Sequence, residues 1–204
     1  MITFEKIRWK NFLSTGNSFT EIQFNRSPST LVVGENGSGK STMLDAVCFS
    51  LFNKPFRKIS KAQLINSINN KKMVVEIEFR IGQKEFKVIR GVKPSVFEVY
   101  CDGQMLDQDA AVRDTQKYLE DSILKMNFKS FTQIVILGSA SFTPFMQLPT
   151  ASRREIIEDI LDIEIFTTMN QVLREKISFL RDEIRDVETE VEVAKSKATC
   201  LLYT

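Results

Sequence analysis

Residues 34–41 read Gly34-Glu35-Asn36-Gly37-Ser38-Gly39-Lys40-Ser41, a complete GxxxxGK[ST] phosphate-binding loop. No other stretch restricts the fold as much, because such a loop works only between a strand and the helix that follows it. Gly34, Gly37 and Gly39 let the backbone approach phosphate oxygens with no Cβ in the way. With Asn36 and Ser38 between them, successive N–H groups form a concave anion site at a helix start. Lys40 supplies a mobile charge for the β- and γ-phosphates, and the Ser41 hydroxyl, followed by Thr42, is placed to ligand Mg²⁺. The flanks agree. Ser29 to Val33 predicts a short buried parallel strand. Leu44, Val47, Cys48, Leu51 and Phe52 predict one apolar face of a helix. A plain glycine-rich turn is the competing reading, and these flanks argue against it. The expected ligands are ATP and Mg²⁺.

The chain has 204 residues, 43% hydrophobic and 26% charged, which suits one sizeable core plus an appendage. No apolar run is long enough to cross a bilayer, and the first residues lack a signal-peptide layout. Cys48, Cys101 and Cys200 are far apart, and there is no histidine. A zinc site or disulfide framework is therefore not expected, and the cytoplasm is the simplest compartment. Between Lys54 and Lys72 stand Lys54, Arg57, Lys58, Lys61, Lys71 and Lys72 with no acid. This is either a solvated surface or a patch for nucleic-acid phosphates, with Arg57, Lys58 and Lys61 as the DNA-binding candidates.

Alternation predicts strands around Ile7–Lys10, Thr20–Phe24, Val75–Ile81, Phe86–Gly91 and Val96–Cys101. Gly82-Gln83 and Asp102-Gly103 are turn signals between them. Helices are expected near Ala62–Ile65 and over Val112–Met126. Ile134 to Leu137 is an apolar run that fits either strand or helix. Ser152-Arg153-Arg154-Glu155 has the S-x-x-E form of a capping box opening a helix. From about Ile163 the pattern changes. Leu173, Ile177, Leu180, Ile184, Val187, Val191, Ala194 and Ala198 are spaced alternately by four and three, a heptad seam. A helix over 163–198 would be about 54 Å long, which predicts a projecting coiled-coil arm.

A P-loop ATPase also needs an acid at the end of an apolar strand. None stands out. Glu76 lies in an alternating strand and is expected at the surface. Glu158 and Asp159 lie in a helical pattern. Leu137-Gly138-Ser139-Ala140 resembles an ABC signature only superficially.

An early phosphate loop, no acidic strand and a departing heptad helix together resemble the N-terminal half of an ABC-type head of the SMC-like family. Ile7 to Ser14 is similar to that family's first strand, with its K-N-F ending. The match is narrower at Lys54-Pro55-Phe56-Arg57, Gln63-Leu64-Ile65-Asn66-Ser67, Phe131 to Gly138 and Thr143-Pro144-Phe145-Met146. These resemble the SbcC-like ATPase subunits of tailed-phage recombination endonucleases. The resemblance implies that Gln133 is the Q-loop glutamine reaching Mg²⁺ and the attacking water, a catalytic role shared with Lys40. It implies nucleotide contacts near Asn66 and Ser67, and near Leu13-Ser14, where many relatives carry Arg-Ser.

The expected fold is α/β: an ABC-type P-loop ATPase N-terminal lobe with an antiparallel β section and a projecting coiled-coil helix. The expected domains are 1–162, the head half, and 163–204, the start of the arm. By resemblance, the partners are double-stranded DNA, a metallophosphoesterase nuclease subunit and a second head joined through ATP, with no membrane. The implied function is an ATP-gated DNA clamp regulating that nuclease in double-strand-break processing. The Walker B acid and signature would lie elsewhere, so this segment alone is expected to hydrolyse ATP poorly. An SMC-type or RecF-type DNA tether or mediator without a nuclease is the first alternative. A generic P-loop enzyme such as a small-molecule kinase is the second.

Overall fold

The computed structural model describes residues 2–106, 112–136, 143–161 and 163–202. Leu137-Gly138-Ser139-Ala140 lies outside them. The chain divides into two compact units, 1–156 and 157–204.

The first unit is built on a six-stranded antiparallel sheet in the order β2-β1-β3-β4-β5-β6. Its strands are β1 (Ile2–Lys10), β2 (Thr20–Gln23), β3 (Met73–Ile81), β4 (Lys84–Val92), β5 (Val96–Cys101) and β6 (Gln104–Met105). The turn signals fall where expected. Gly82 (φ 61°) begins the β3–β4 turn, and Asp102 (φ 50°) with Gly103 (φ 79°) turns β5 into β6. Register follows the alternation. Ile22, Ile7, Ile77, Val88 and Val99 pair in one row across five strands, four of them buried in the core and Ile22 half-buried against it. One residue along, Glu21, Arg8, Glu76, Ile89 and Glu98 form a row on the other face.

That second face corrects the expectation for Glu76. It is only 8% exposed. Arg8 donates to its carboxylate from Nε at 3.0 Å and Nη2 at 2.7 Å, and Lys87 Nζ lies 3.1 Å away. The flanking cationic stems cover it, which alternation alone does not reveal.

Helix α1 (Thr42–Phe52) packs on β1, β3 and β4. Ala46, Cys48, Phe49 and Leu51 are fully buried, so the helix is enclosed on more than the one face predicted. It ends at Asn53 in the left-handed conformation, whose N–H donates to Phe49 O, just before Lys54-Pro55. Helix α2 (Lys61–Leu64) is the short turn expected near Ala62. Its cap is Ser60, whose N–H donates to Gln63 Oε1 at 2.9 Å.

Helix α3 (Val112–Tyr118) continues into a π-helical stretch, Leu119–Leu124. Helix α4 (Phe128–Ile134) starts at Asn127, whose Oδ1 accepts from Ser130 N at 3.0 Å. The ambiguous run at Ile134–Ile136 is therefore a helix end.

Two further expectations are corrected. Leu31, Val32 and Val33 form no strand and are exposed. The described sheet is antiparallel and offers this run no parallel neighbour. Helix α5 (Thr150–Ile160) begins before Ser152, because Arg153 N already donates to Pro149 O at 3.0 Å. Ser152 lies within the helix, and its Oγ accepts from Lys129 Nζ at 3.0 Å.

The second unit contains helix α6 (Glu164–Leu202), 39 residues and about 58 Å long. Leu173, Ile177, Leu180, Ile184, Val187 and Val191 are all exposed along it. Asp182 and Arg185 pair at 3.3 Å, as their i,i+3 spacing predicts. No described helix is long and apolar enough to cross a membrane.

Candidate phosphate-binding site

The phosphate loop ends on the N-terminus of α1. Gly37 (φ 87°) and Gly39 (φ 95°) take a conformation that side chains resist. Thr42 N donates to Gly39 O at 2.9 Å and Asp45 N to Ser41 O at 3.3 Å, so the loop runs directly into the helix. A Cβ on Gly34 would lie 2.7 Å from Ser38 Oγ, which shows how closely the loop folds on itself. Lys40 Nζ folds back over the loop and donates to Gly34 O at 2.6 Å and Glu35 O at 2.7 Å. An ammonium held on two carbonyls this way is poised to accept an anion over the loop.

The loop opens on a cleft of about 540 Å³. Asn36, Gly37, Gly39, Lys40, Ser41 and Thr42 form its floor. Leu13, Ser14, Ile65 and Ser67 wall one side. None of its lining residues is a carboxylate. Glycine backbone, a lysine and a hydroxyl on a helix N-terminus suit a polyphosphate, and Ser41 suits a hard cation beside it.

The wall is held by a network that sequence reading missed. Asn66 is buried, and its Nδ2 donates to Leu13 O and Thr15 O, both at 3.1 Å. Its Oδ1 accepts from Ile68 N and Asn69 N at 3.0 Å. Asn66 thus ties the Leu13–Thr15 loop to the segment after α2, while its neighbour Ser67 faces the cleft. Asn11 completes the tie by donating to Asn17 Oδ1 and Lys72 O and accepting from Asn69.

Arg57 stands in the cleft wall, whereas the charge run had set it aside with Lys58 and Lys61 for DNA. Its partner is Asp45 of α1, which is fully buried. The signal was there: a carboxylate among the mostly apolar residues of that helix needs a cation. Gln133 is not in this cleft. It lines an adjoining one, with Arg57 at their common edge, and its buried Oε1 has no partner among the described residues. Lys58 lines that second cleft, and Lys61 is exposed on α2. Burial, then the nearby charges of Arg90 and Lys54, lowers the Lys61 pKa.

The far end of α1 is anchored from the sheet. Arg90 of β4, buried, donates from Nε to Ser50 O at 3.0 Å and from Nη2 to Gln116 Oε1 at 2.6 Å. Gln116 Nε2 donates to Leu51 O at 2.9 Å. These two side chains satisfy carbonyls that a helix end leaves open. Burial pushes the Arg90 guanidinium down to about 9 against a raising influence from Glu120, and the Phe97 ring lies 3.8 Å from its Cζ. Cys48 on the same helix is inert, because burial and then Asp45 push its thiol up to about 12.

The AAA domain family model matches residues 6–199. Exonuclease subunit 2 of Escherichia phage RB69 is 42% identical over 178 residues, which cover 87% of this chain and 32% of that protein. The DNA double-strand break repair Rad50 ATPase of Thermoplasma volcanium is 25% identical, over 90% of this chain and 20% of its own length. The chain thus spans about a third or less of these relatives. A crystal structure of the Smc head domain with an extended coiled coil, from Pyrococcus furiosus, superposes with a TM-score of 0.63 at 23% identity. It covers 94% of this chain and 50% of the other. That likeness is one of fold, that of an Smc head domain with a coiled coil.

Proposed function

The chain belongs to the AAA domain family, and from that membership we propose that it is the ATP-binding half-head of a subunit that processes DNA double-strand breaks. The observation that carries the reading is the phosphate loop, Lys40 folded over it, facing a cleft whose lining contains no carboxylate. Residues 1–162 are the head half and 163–204 the start of a coiled-coil arm. Loop amides and Lys40 bind the triphosphate, and Ser67, Ser14 and Arg57 close the cleft around it. Ser41 would hold Mg²⁺; Gln133, which lines the adjoining cleft, stands outside that ligand set. When bound, such an ion would supply charge neutralisation on the polyphosphate.

The acid that polarises the attacking water comes from outside these residues. Glu76 does not supply it, because it is held on the opposite face of the sheet by Arg8 and Lys87. A second head closes over the γ-phosphate, and the paired heads gate double-stranded DNA toward a metallophosphoesterase partner. The similarity to a phage exonuclease subunit favours this over a tether without a nuclease.

The test is titration of the chain with ATP and Mg²⁺, followed by turnover. Binding is expected, Lys40→Ala is expected to abolish it, and turnover is expected to be negligible. Binding that survives Lys40→Ala would overturn the site. Turnover abolished by the same change would overturn the half-site. A nuclease that fails to co-purify with the longer protein would return the reading to a tether.

A further inference from the structure

The second cleft, beside the phosphate site, has a volume of about 320 Å³ and a lining of distinct character. Lys54 and Lys58 stand at it, and no carboxylate lines it. Arg57, at its edge, is already committed to Asp45. Neither lysine has an ion-pair partner among the described residues, so the cleft carries an uncompensated positive charge. Phe56 and Phe128 supply its apolar walls. Phe128 is braced from the core by the Phe52 ring at 5.8 Å, and Lys54 Nζ lies 5.8 Å from its centroid. Gln133 Oε1 is buried with no donor. A buried acceptor left this way is costly, and it is satisfied by an incoming N–H.

These three features describe one ligand: an anion with an apolar flat face and an N–H donor. Inorganic phosphate lacks the last two. An acidic peptide segment lacks the flat face. A nucleotide unit has all three. In a duplex the base's donor edge is paired and both faces are stacked, so the unit must be unpaired. We propose that this cleft receives one nucleotide of a single DNA strand, with its phosphate at Lys54 and Lys58 and its base between Phe56 and Phe128, offering an N–H to Gln133. The inference rests on the DNA-processing reading above and adds the strand state that the head recognises.

The experiment is fluorescence anisotropy of labelled decathymidylate against the 204-residue chain, beside a blunt duplex of equal length and free thymidine monophosphate. Lys54→Gln/Lys58→Gln should weaken decathymidylate binding tenfold or more and lower its salt slope by about 1.4. Phe56→Leu keeps an apolar side chain but removes the ring, and should weaken it roughly fivefold or more. ATP affinity should stay unchanged in both, since none of these residues lines the phosphate cleft. Both lysines are exposed, so the double variant should also melt as the parent does. Decathymidylate affinity unmoved by the lysine variant would overturn the proposal. So would equal preference for the duplex, or a monophosphate that binds as tightly as the strand. Loss of ATP binding in Lys40→Ala with decathymidylate retained would separate this cleft from the nucleotide site.

Discussion

Asp45 holds Arg57 by both its backbone and its side chain. Arg57 N donates to Oδ1 at 2.9 Å, Nε donates to Oδ2 at 2.7 Å, and Nη2 lies 2.5 Å from Oδ2. The carboxylate has no exposure, while the guanidinium keeps 45% of its surface open. One end of the pair is thus fixed in the phosphate helix and the other reaches the cleft. Arg57→Ala leaves the buried carboxylate with no cation and only the backbone N–H of residue 57, and should destabilise the head by about 3 kcal/mol. Asp45→Asn combined with Arg57→Ala should cost less than the two single changes added. Urea unfolding of the four proteins measures the coupling, and strictly additive values would show that the pair is not a unit.

Gly39 has φ 95° and Gly16 has nothing within 4 Å of an added Cβ. Gly39→Ala forces a side chain into a left-handed loop at a cost of about 1–2 kcal/mol. Much of that should be felt by the bound state, weakening ATP about tenfold. Gly16→Ala is the matched control and should leave both stability and affinity near the parent's. Calorimetric titration of the two variants decides, and equal affinities would remove the loop strain from the argument.

Glu76 sits where two forces oppose. Burial raises its pKa, but the hydrogen bonds and charges of Arg8 and Lys87 outweigh it, and the net value lies below the ordinary 4.5. A depressed carboxylate contributes stability that is present above its unfolded pKa and is lost as pH falls through its folded one. The parent chain should therefore lose stability steeply below about pH 4.5. Glu76→Gln should be less stable at neutral pH and flatter in that acid window. Urea midpoints from pH 7 to pH 3 test this, and parallel curves would show that the ion cluster contributes nothing to acid sensitivity.

The parts of this fold that were legible in sequence are those set by local rules. The turns at Gly82 and Asp102-Gly103, the strand alternation and the helix after Ser41 each follow from a few neighbouring residues. Three things were not legible. Leu31 to Val33 read as a buried strand, but a strand needs a neighbour that no local pattern supplies. Ser152 matched a cap, but the helix had already started at Pro149's carbonyl. Arg57 read as part of a charge run, and only the fold brings it across to Asp45, twelve positions earlier. At the site, the loop itself was read residue by residue. Its wall was marked only by resemblance, at Leu13-Ser14 and Ser67, and the bonds that hold it were not legible, because Asn11, Asn66 and Leu13 meet through contacts between distant segments.

Helix α6 carries the last prediction. Its heptad residues from Leu173 to Val191 are exposed, and no second heptad helix is found among the described residues. A helix of 39 residues draws most of its stability in water from packing an apolar face. The seam should therefore pair between copies of the chain, and helical content should fall on dilution as those pairs separate. Aspartates at Ile177 and Ile184 place charges in the seam and should prevent pairing. Neither residue lines the phosphate cleft, so ATP affinity should be unchanged. Sedimentation with circular dichroism across a hundredfold concentration range reads both effects. A chain that stays monomeric and fully helical throughout would show that the seam is stable without a partner.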